Sequence, residues 1–518
     1  MPEHLKAWLV ILGLSTPLWW LAKGVLCDQA MASSAFVRQR NLWFLLTTFA
    51  FLSHDFWFFV CLAMLVVLMG SGRGANRLTL FCGLLFVIPP LAADISGFGV
   101  LNYLFSLSYP RLLALLLLLP AWWFLRREPD TDRFGSLLPD QFLLGLISLP
   151  LILQFVQAND TLTNIARSGF YSFLDFFLPY YVASRGAKTW GALREALVAL
   201  VLAILLLAPV ALFEYLRQWL LYASLAPSMG LYWELGAYLL RGNDLRATSA
   251  AGHALSLGYL MVIALSLYGC IWTWLRSKAG GVFGLALLMA GIWAPVSRGP
   301  WLGALAGVTV LIMTHPRPLR QAATLGLTGA VFGAVLSASP WAEKILSVLP
   351  FIGTVDEFNE TYRKRLFEIS LDVIAMNPWF GSFTYLHLPI MQSLKQGQGI
   401  IDIVNSYIGI ALTYGLVGLF FFMGLLLSAL YAAWLGWRAS PVDGEGRAVG
   451  RALLAALVGV MVTLVGVSSI STIGTVNMLL AGLCVGCGRL VSRVASGAQI
   501  QSWPQTEWHT QQMMGPAR

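Results

Sequence analysis

The sequence predicts an all-α fold, a polytopic helical membrane protein with about 12–14 transmembrane helices and one large external loop. Hydrophobic residues make up 58% of the 518 and charged residues only 11%, and mean hydropathy is +0.74. Soluble domains carry nearer a quarter charged residues. Runs of about twenty apolar residues recur along the chain, enough to cross a bilayer as helix. The ten-residue alternating segments of a transmembrane barrel do not appear. The formal charge of +9 is weak support for a nucleic-acid partner, because in a membrane protein the placement of Lys and Arg matters more than their sum.

Candidate spans lie near 7–22, 43–70, 78–95, 110–125, 140–157, 168–184, 194–213, 254–275, 280–296, 300–315, 319–338, 405–436, 449–468 and 473–488. The first lacks a small-residue cleavage site and reads as a span, not a removable signal. The second contains Ser53-His54-Asp55 and is either kinked or two short pieces, with His54 and Asp55 available to pair with each other. Residues 1–490 read as a single membrane domain, with a loop over about 339–404, and 491–518 as a polar, disordered tail. Six cysteines are scattered mostly through apolar runs. Cys484 and Cys487 form a C-x-x-C inside a span and read as small buried hydrophobes.

Alternate loops are short and basic, among them those holding Arg126/Arg127/Arg133, Arg185/Lys188/Arg194, Arg276/Lys278, Arg438/Arg447/Arg451 and Arg489/Arg493. That bias marks the cytoplasmic side and puts both termini there. The segment 214–252 and the large loop then lie outside; Lys23, Arg38 and Arg40 run against the rule.

The polar interruption from about Ser339 to Gly418 organises the rest. It holds Glu360-Thr361-Tyr362-Arg363-Lys364-Arg365, an apolar-periodic piece from Leu366 to Met376, and Asn377-Pro378-Trp379-Phe380-Gly381. Arginine at a helix end either reaches the interface or serves an anion. Arg298 sits in a tight turn between two spans, and Arg246, Arg363 and Arg365 fall on the same predicted side. Forked guanidinium donors suit a diphosphate; a solvated helix pairing Arg363 and Arg365 with Glu360 and Glu368 is the plainer alternative. On a helix, Asp402 and Asn405 share a face at the mouth of a span. There Asp402 is a general base toward a hydroxyl or a helix cap. His253 opens a span, and a lone histidine is more often structural than catalytic. Asp130-Thr131-Asp132 matches a pattern that holds metal-bound sugar nucleotides, but no βαβ unit surrounds it. No metal-ligand spacing and no phosphate-binding glycine loop appears, so neither metal nor cofactor is expected.

Four features together resemble the O-antigen ligase and O-antigen polymerase superfamily of bacterial inner-membrane glycosyltransferases. They are Arg246 with Gly252-His253, the Ser297-Arg298-Gly299 turn, Arg365 through Asn377-Pro378-Trp379-Phe380-Gly381, and Asn405 followed by Gly415-Leu416-Val417-Gly418. The ligases of that family are marked by a His where this chain has Val404; Asn405, the spacing, Gly415 and Gly418 stand.

The resemblance implies glycan transfer from an undecaprenyl-diphosphate donor on the periplasmic face of the inner membrane. Arg298, Arg365, Arg246 and Arg363 would then hold the diphosphate, Asp402, His253 and Asn405 would serve the acceptor, and Gly415 and Gly418 would pack a helix. The absent His favours a polymerase of O-antigen or exopolysaccharide repeat units over a ligase acting on lipid A core. Chain-length or export proteins are expected partners beside the membrane lipids. A flippase or other transporter is the reading from a different class; it predicts charges near the midplane and paired halves, which the sequence does not display.

Overall fold

The computed structural model describes residues 1–72, 76–97, 99, 102–158, 160–232, 238–241, 244–337, 357–395, 401–441 and 444–495. Parts of the predicted features fall outside them: Gly242-Asn243, residues 338–356 and 396–400 of the large loop, and 496–518 of the tail.

The chain opens with α1 (Glu3–Leu26), α2 (Ser33–Leu52) and α3 (Phe56–Gly70). The predicted 43–70 span is thus two helices, and the break has a local cause. Asp55 accepts from the Phe58 N–H at 2.8 Å and caps α3, while His54 Nδ1 faces the Leu52 carbonyl at 3.1 Å. The two side chains serve the backbone instead of each other.

The predicted span 78–95 is also corrected. After α4 (Arg77–Leu84) the chain reaches Pro89-Pro90, which cannot continue a helix, and turns into the antiparallel pair β1 (Ala92–Ser96) and β2 (Tyr103–Ser108). Then come α5 (Tyr109–Leu125), α6 (Leu138–Val156), α7 (162–186) and α8 (Trp190–Arg217). Both α5 and α7 widen into a π turn, at Ala114–Leu118 and Phe173–Phe177. A two-residue hairpin, β3 (Leu240–Arg241) with β4 (Asp244–Leu245), precedes α9 (Ala254–Trp274), α10 (Lys278–Trp293), α11 (Arg298–Met313) and α12 (Pro318–Ser337). The chain ends in α13 (Glu357–Met376), α14 (Ser406–Ala439), α15 (Glu445–Thr463) and α16 (Ile473–Ala495). The last helix runs past the point where the tail was expected to begin.

Among the described residues, seven helices are long and apolar enough to cross a membrane, and four shorter apolar helices accompany them. The chain is an all-α polytopic membrane protein. Its centre is α9, α11, α14, α15 and α16, packed side by side. Contacts are close because small residues face one another: a side chain on Gly303 would strike Thr463 and the Gly459 carbonyl. Without a hydrophobic drive between helices in lipid, such backbone approach supplies the attraction.

At one end of the bundle Arg185 and Asp140, both fully buried, pair at 2.6 Å. Tyr180 donates to the same carboxylate at 2.8 Å, and Arg185 Nε reaches the Asp132 carbonyl at 3.0 Å. Arg489 of α16 pairs with the Asp132 carboxylate. The D-x-D stretch is therefore tied into a basic lock joining α6, α7 and α16. All six cysteines are free thiols, and Cys484 and Cys487 are buried as expected.

The large loop packs a small core of its own. Leu366 and Val373 of α13 meet Met391, Leu394 and Leu412, joined by Tyr362, Ile369, Ile401 and Ile403. This core seats α13 on the first turns of α14.

Candidate functional site

The site is built on a broken helix. Asn405 caps α14, its Oδ1 accepting from the N–H groups of Tyr407 at 2.9 Å and Ile408 at 3.2 Å. Three turns on, Gly415 has φ 68 and ψ −170 and interrupts α14. Pro378 ends α13 beforehand, because the residue before a proline avoids the helical region. The segment 377–381 then wedges into the break. Leu416 N–H donates to the Pro378 carbonyl at 2.8 Å, Val417 N–H to Trp379 at 3.2 Å, and Ser382 N–H to Leu412 at 2.9 Å. Two N–H groups and one carbonyl that α14 frees at the break are thus bonded to residues 378–382, which apolar surroundings favour. A side chain at Gly415 would collide with the Trp379 carbonyl, and Gly418 leaves room for Tyr414 of its own helix. The expected helix-packing role of Gly415 and Gly418 is thus corrected: they make and house a break.

Asp402 lies in extended chain (401–405) before α14, not on it. It does not share a helix face with Asn405, and Asn405, not Asp402, is the cap. Tyr362 of α13 fixes Asp402 from above, its hydroxyl accepting from the Asp402 N–H at 3.1 Å and donating to the Asp402 carbonyl at 3.3 Å. Burial raises the proton affinity of the half-buried Asp402 carboxyl, and the charges of Arg363 and Arg246 pull it back. The two arginines come from segments more than a hundred residues apart, yet both act on this carboxylate.

Arg246 arrives on the strand-like arm after β4. Its Nε donates to the Pro295 carbonyl at 3.2 Å, Ala247 N–H donates to Ala294 at 3.1 Å, and Arg241 donates to Val296 at 2.8 Å. These bonds grip the α10–α11 turn, where Val296 is held at φ 48 and Arg298 begins α11. Gln218, Ser249 and Ser471 also have positive φ, an arrangement costing a non-glycine residue about 1–3 kcal/mol each. Each belongs to a segment around the site: Gln218 accepts from Leu245 N–H at 2.9 Å, and Ser471 donates to the Ala251 carbonyl at 3.2 Å. Ser249 is held by Glu214, a fully buried carboxylate that accepts from the N–H groups of Leu221, Thr248 and Ser249 at 2.8–3.0 Å.

His253 caps α9, its Nδ1 accepting from Leu255 N–H at 3.2 Å. Burial, and then the charge of Arg246, lower its pKa to about 4. At neutral pH the ring is uncharged with its proton on Nε2, so it is a donor and not a base.

The structure therefore brings Arg246, Arg363, Asp402 and His253 under one electrostatic influence, with Arg298 in the adjoining turn and Asn405 setting the helix beneath. Arg365 is not among the charges acting on Asp402; at 100° per residue it lies roughly 200° around α13 from Arg363, and both side chains are exposed. Sequence reading missed Tyr362 and Glu214; a lone acid in an apolar run was the available signal for the second. Among the described residues no group of His, Cys, Asp and Glu has the arrangement of a metal site.

Residues 283–423 match the family model described as O-antigen ligase. The match covers Arg298, Arg363, Asp402, Asn405, the wedge and both glycines of the break; Arg246 and His253 precede it. The match spans 141 of the 518 residues and makes this part of the chain similar to the O-antigen ligase family. No curated protein matches the chain.

Proposed function

We propose that the chain polymerises repeat units of a cell-surface polysaccharide, using an undecaprenyl-diphosphate-linked donor on the periplasmic face of the inner membrane. One observation carries the reading: Asp402, a half-buried carboxylate with raised proton affinity, feels the charge of two arginines delivered by separate segments. The chemistry then has a place for each charge. The acceptor hydroxyl loses its proton to Asp402 as its oxygen attacks the anomeric carbon. The bond from that carbon to the diphosphate oxygen breaks, and the lipid diphosphate leaves with the electron pair. Arg246, Arg363 and Arg298 stabilise the charge it gains, and preorganised donors of this kind contribute about 3–4 kcal/mol each in known active sites. The neutral His253 adds a hydrogen-bond donor.

Val404, standing where the ligases of the superfamily have His, favours polymerisation. Transfer to a lipid A core with Asp402 as base is the second reading, supported by the description of the matching family model. Purified protein in nanodiscs, given the lipid-linked repeat unit with and without lipid A core, separates them. A product ladder without core, lost in Arg246→Ala, is the expected result. Product only with core makes the chain a ligase. Lipid-linked substrate crossing the bilayer without any product makes it a transporter and overturns both.

A further inference from the structure

A second site lies at the opposite end of the bundle. Between α1, α8, α9 and α10 is a cavity of about 310 Å³ lined by Leu21, Val25, Val201, Leu205, Ile271 and Phe283. It meets α9 near Tyr268 and Leu275, about 30 Å along that helix from His253. Trp20, Leu21, Val282 and Phe283 on its flanks are exposed, and α1, α8 and α9 are long and apolar enough to span a bilayer. The cavity therefore opens toward hydrocarbon, and an apolar hollow without polar partners does not hold water.

Its mouth carries cations. Lys23 stands in the last turn of α1, and Arg276 and Lys278 border Leu275 and Ala279 of the lining. All three are exposed. The Arg276 N–H donates to the Val25 carbonyl at 3.1 Å, which ties the end of α1 to the α9–α10 turn. Lys23 thus shares a side with Arg276 and Lys278, and Glu3 at the start of α1 accepts from Trp219 at 2.9 Å. The expectation of Lys23 outside and the amino end beside Arg276 is reversed. Lys278 donates to the Trp272 carbonyl at 2.8 Å and lies 5.4 Å from the Trp272 ring centre; an ammonium has two further donors. Of the acids on or beside these elements, Asp28 accepts from the Ser33 hydroxyl at 2.7 Å and Glu195 from the Ala32 N–H at 3.3 Å.

We propose that this slot binds one anionic phospholipid of the bilayer, an acyl chain in the cavity and the phosphate among Lys23, Arg276 and Lys278. Inside a membrane the apolar slot cannot select by hydrophobicity, since free lipid tails are equally apolar. Selection rests on the headgroup, at about five-fold per basic residue.

Native mass spectrometry of the full-length protein in detergent tests this, with phosphatidylglycerol and phosphatidylcholine of identical chains as probes. Phosphatidylglycerol is expected to be retained about a hundred-fold better. The triple variant Lys23→Ala/Arg276→Ala/Lys278→Ala should lose about a hundred-fold of that retention. The charge-keeping variant Lys23→Arg/Arg276→Lys/Lys278→Arg should bind as the wild type does, and Ala279→Phe, which fills the slot, should lower retention of both lipids. If the triple variant does not fold, the three single variants, each expected to lose about five-fold, decide. Equal retention of the two lipids overturns the proposal, as does wild-type retention by the alanine variants. Undiminished phosphatidylglycerol binding by Ala279→Phe also overturns it, since it leaves a charged patch and no slot.

Discussion

Asp402 is pulled two ways, by burial toward the acid and by Arg363 and Arg246 toward the carboxylate. Burial wins, so its pKa stands above the ordinary carboxylate value, and the base proposed above is available only above that raised value. Activity should fall as pH drops through it. Arg363→Gln removes a charge that favours the carboxylate, so the acid limb of the pH–rate profile should move to higher pH. A limb that stays in place would show that another group titrates. Asp402→Asn should lower the rate by about 10²–10⁴, the range for loss of a general base, measured as product formed per minute with the fold intact. The arginines were legible in the sequence because a cation at the end of an apolar run stands out. Linear nearness of Arg365 to Arg363 says little about sharing a site, since two residues along a helix are roughly 200° apart around it. Glu214 escaped notice because its partners are backbone N–H groups, which no side-chain pattern reveals.

The spans of the C-terminal half were legible because hydropathy alone defines a helix in lipid, and there the observed elements follow the apolar runs closely. The β1–β2 pair and the π turns were not, since apolar strand and apolar helix look alike over ten residues. The motif of two glycines looked like a packing face, and only the wedge shows its use. Gly415→Ala should therefore cost about 2 kcal/mol or more, from positive φ together with collision against the Trp379 carbonyl. A lowered melting temperature and new proteolysis near 377–381 would be the readout. Asn405→Ala should cost only about 1 kcal/mol, the loss of a cap. If it instead abolishes turnover in protein that melts as the wild type does, Asn405 contacts substrate.

Across the whole molecule, α16 separates two polar clusters by about 25 Å, the rise from Ile473 to Arg489: the strained loops around the Asp402 site at one end and the Arg185–Asp140 lock at the other. The lock is structural. Arg185→Leu leaves a fully buried carboxylate without its cation and should destabilise by about 3–5 kcal/mol. The double variant Arg185→Leu/Asp140→Leu should regain much of that in thermal melts, with little change in turnover. The division of the chain into a membrane bundle and one elaborated loop was legible; that the loop enters the bundle was not. That entry has a consequence for how the protein is made. The residues that seal the break in α14, 377–381, come earlier in the chain than the break itself. Synthesis from the amino end thus delivers the seal first, and when the interrupted helix enters the bilayer its donors at Leu416 and Val417 meet carbonyls already waiting for them. Reversing that order, as in a circular permutant starting between the wedge and α14, would expose those donors to hydrocarbon during insertion.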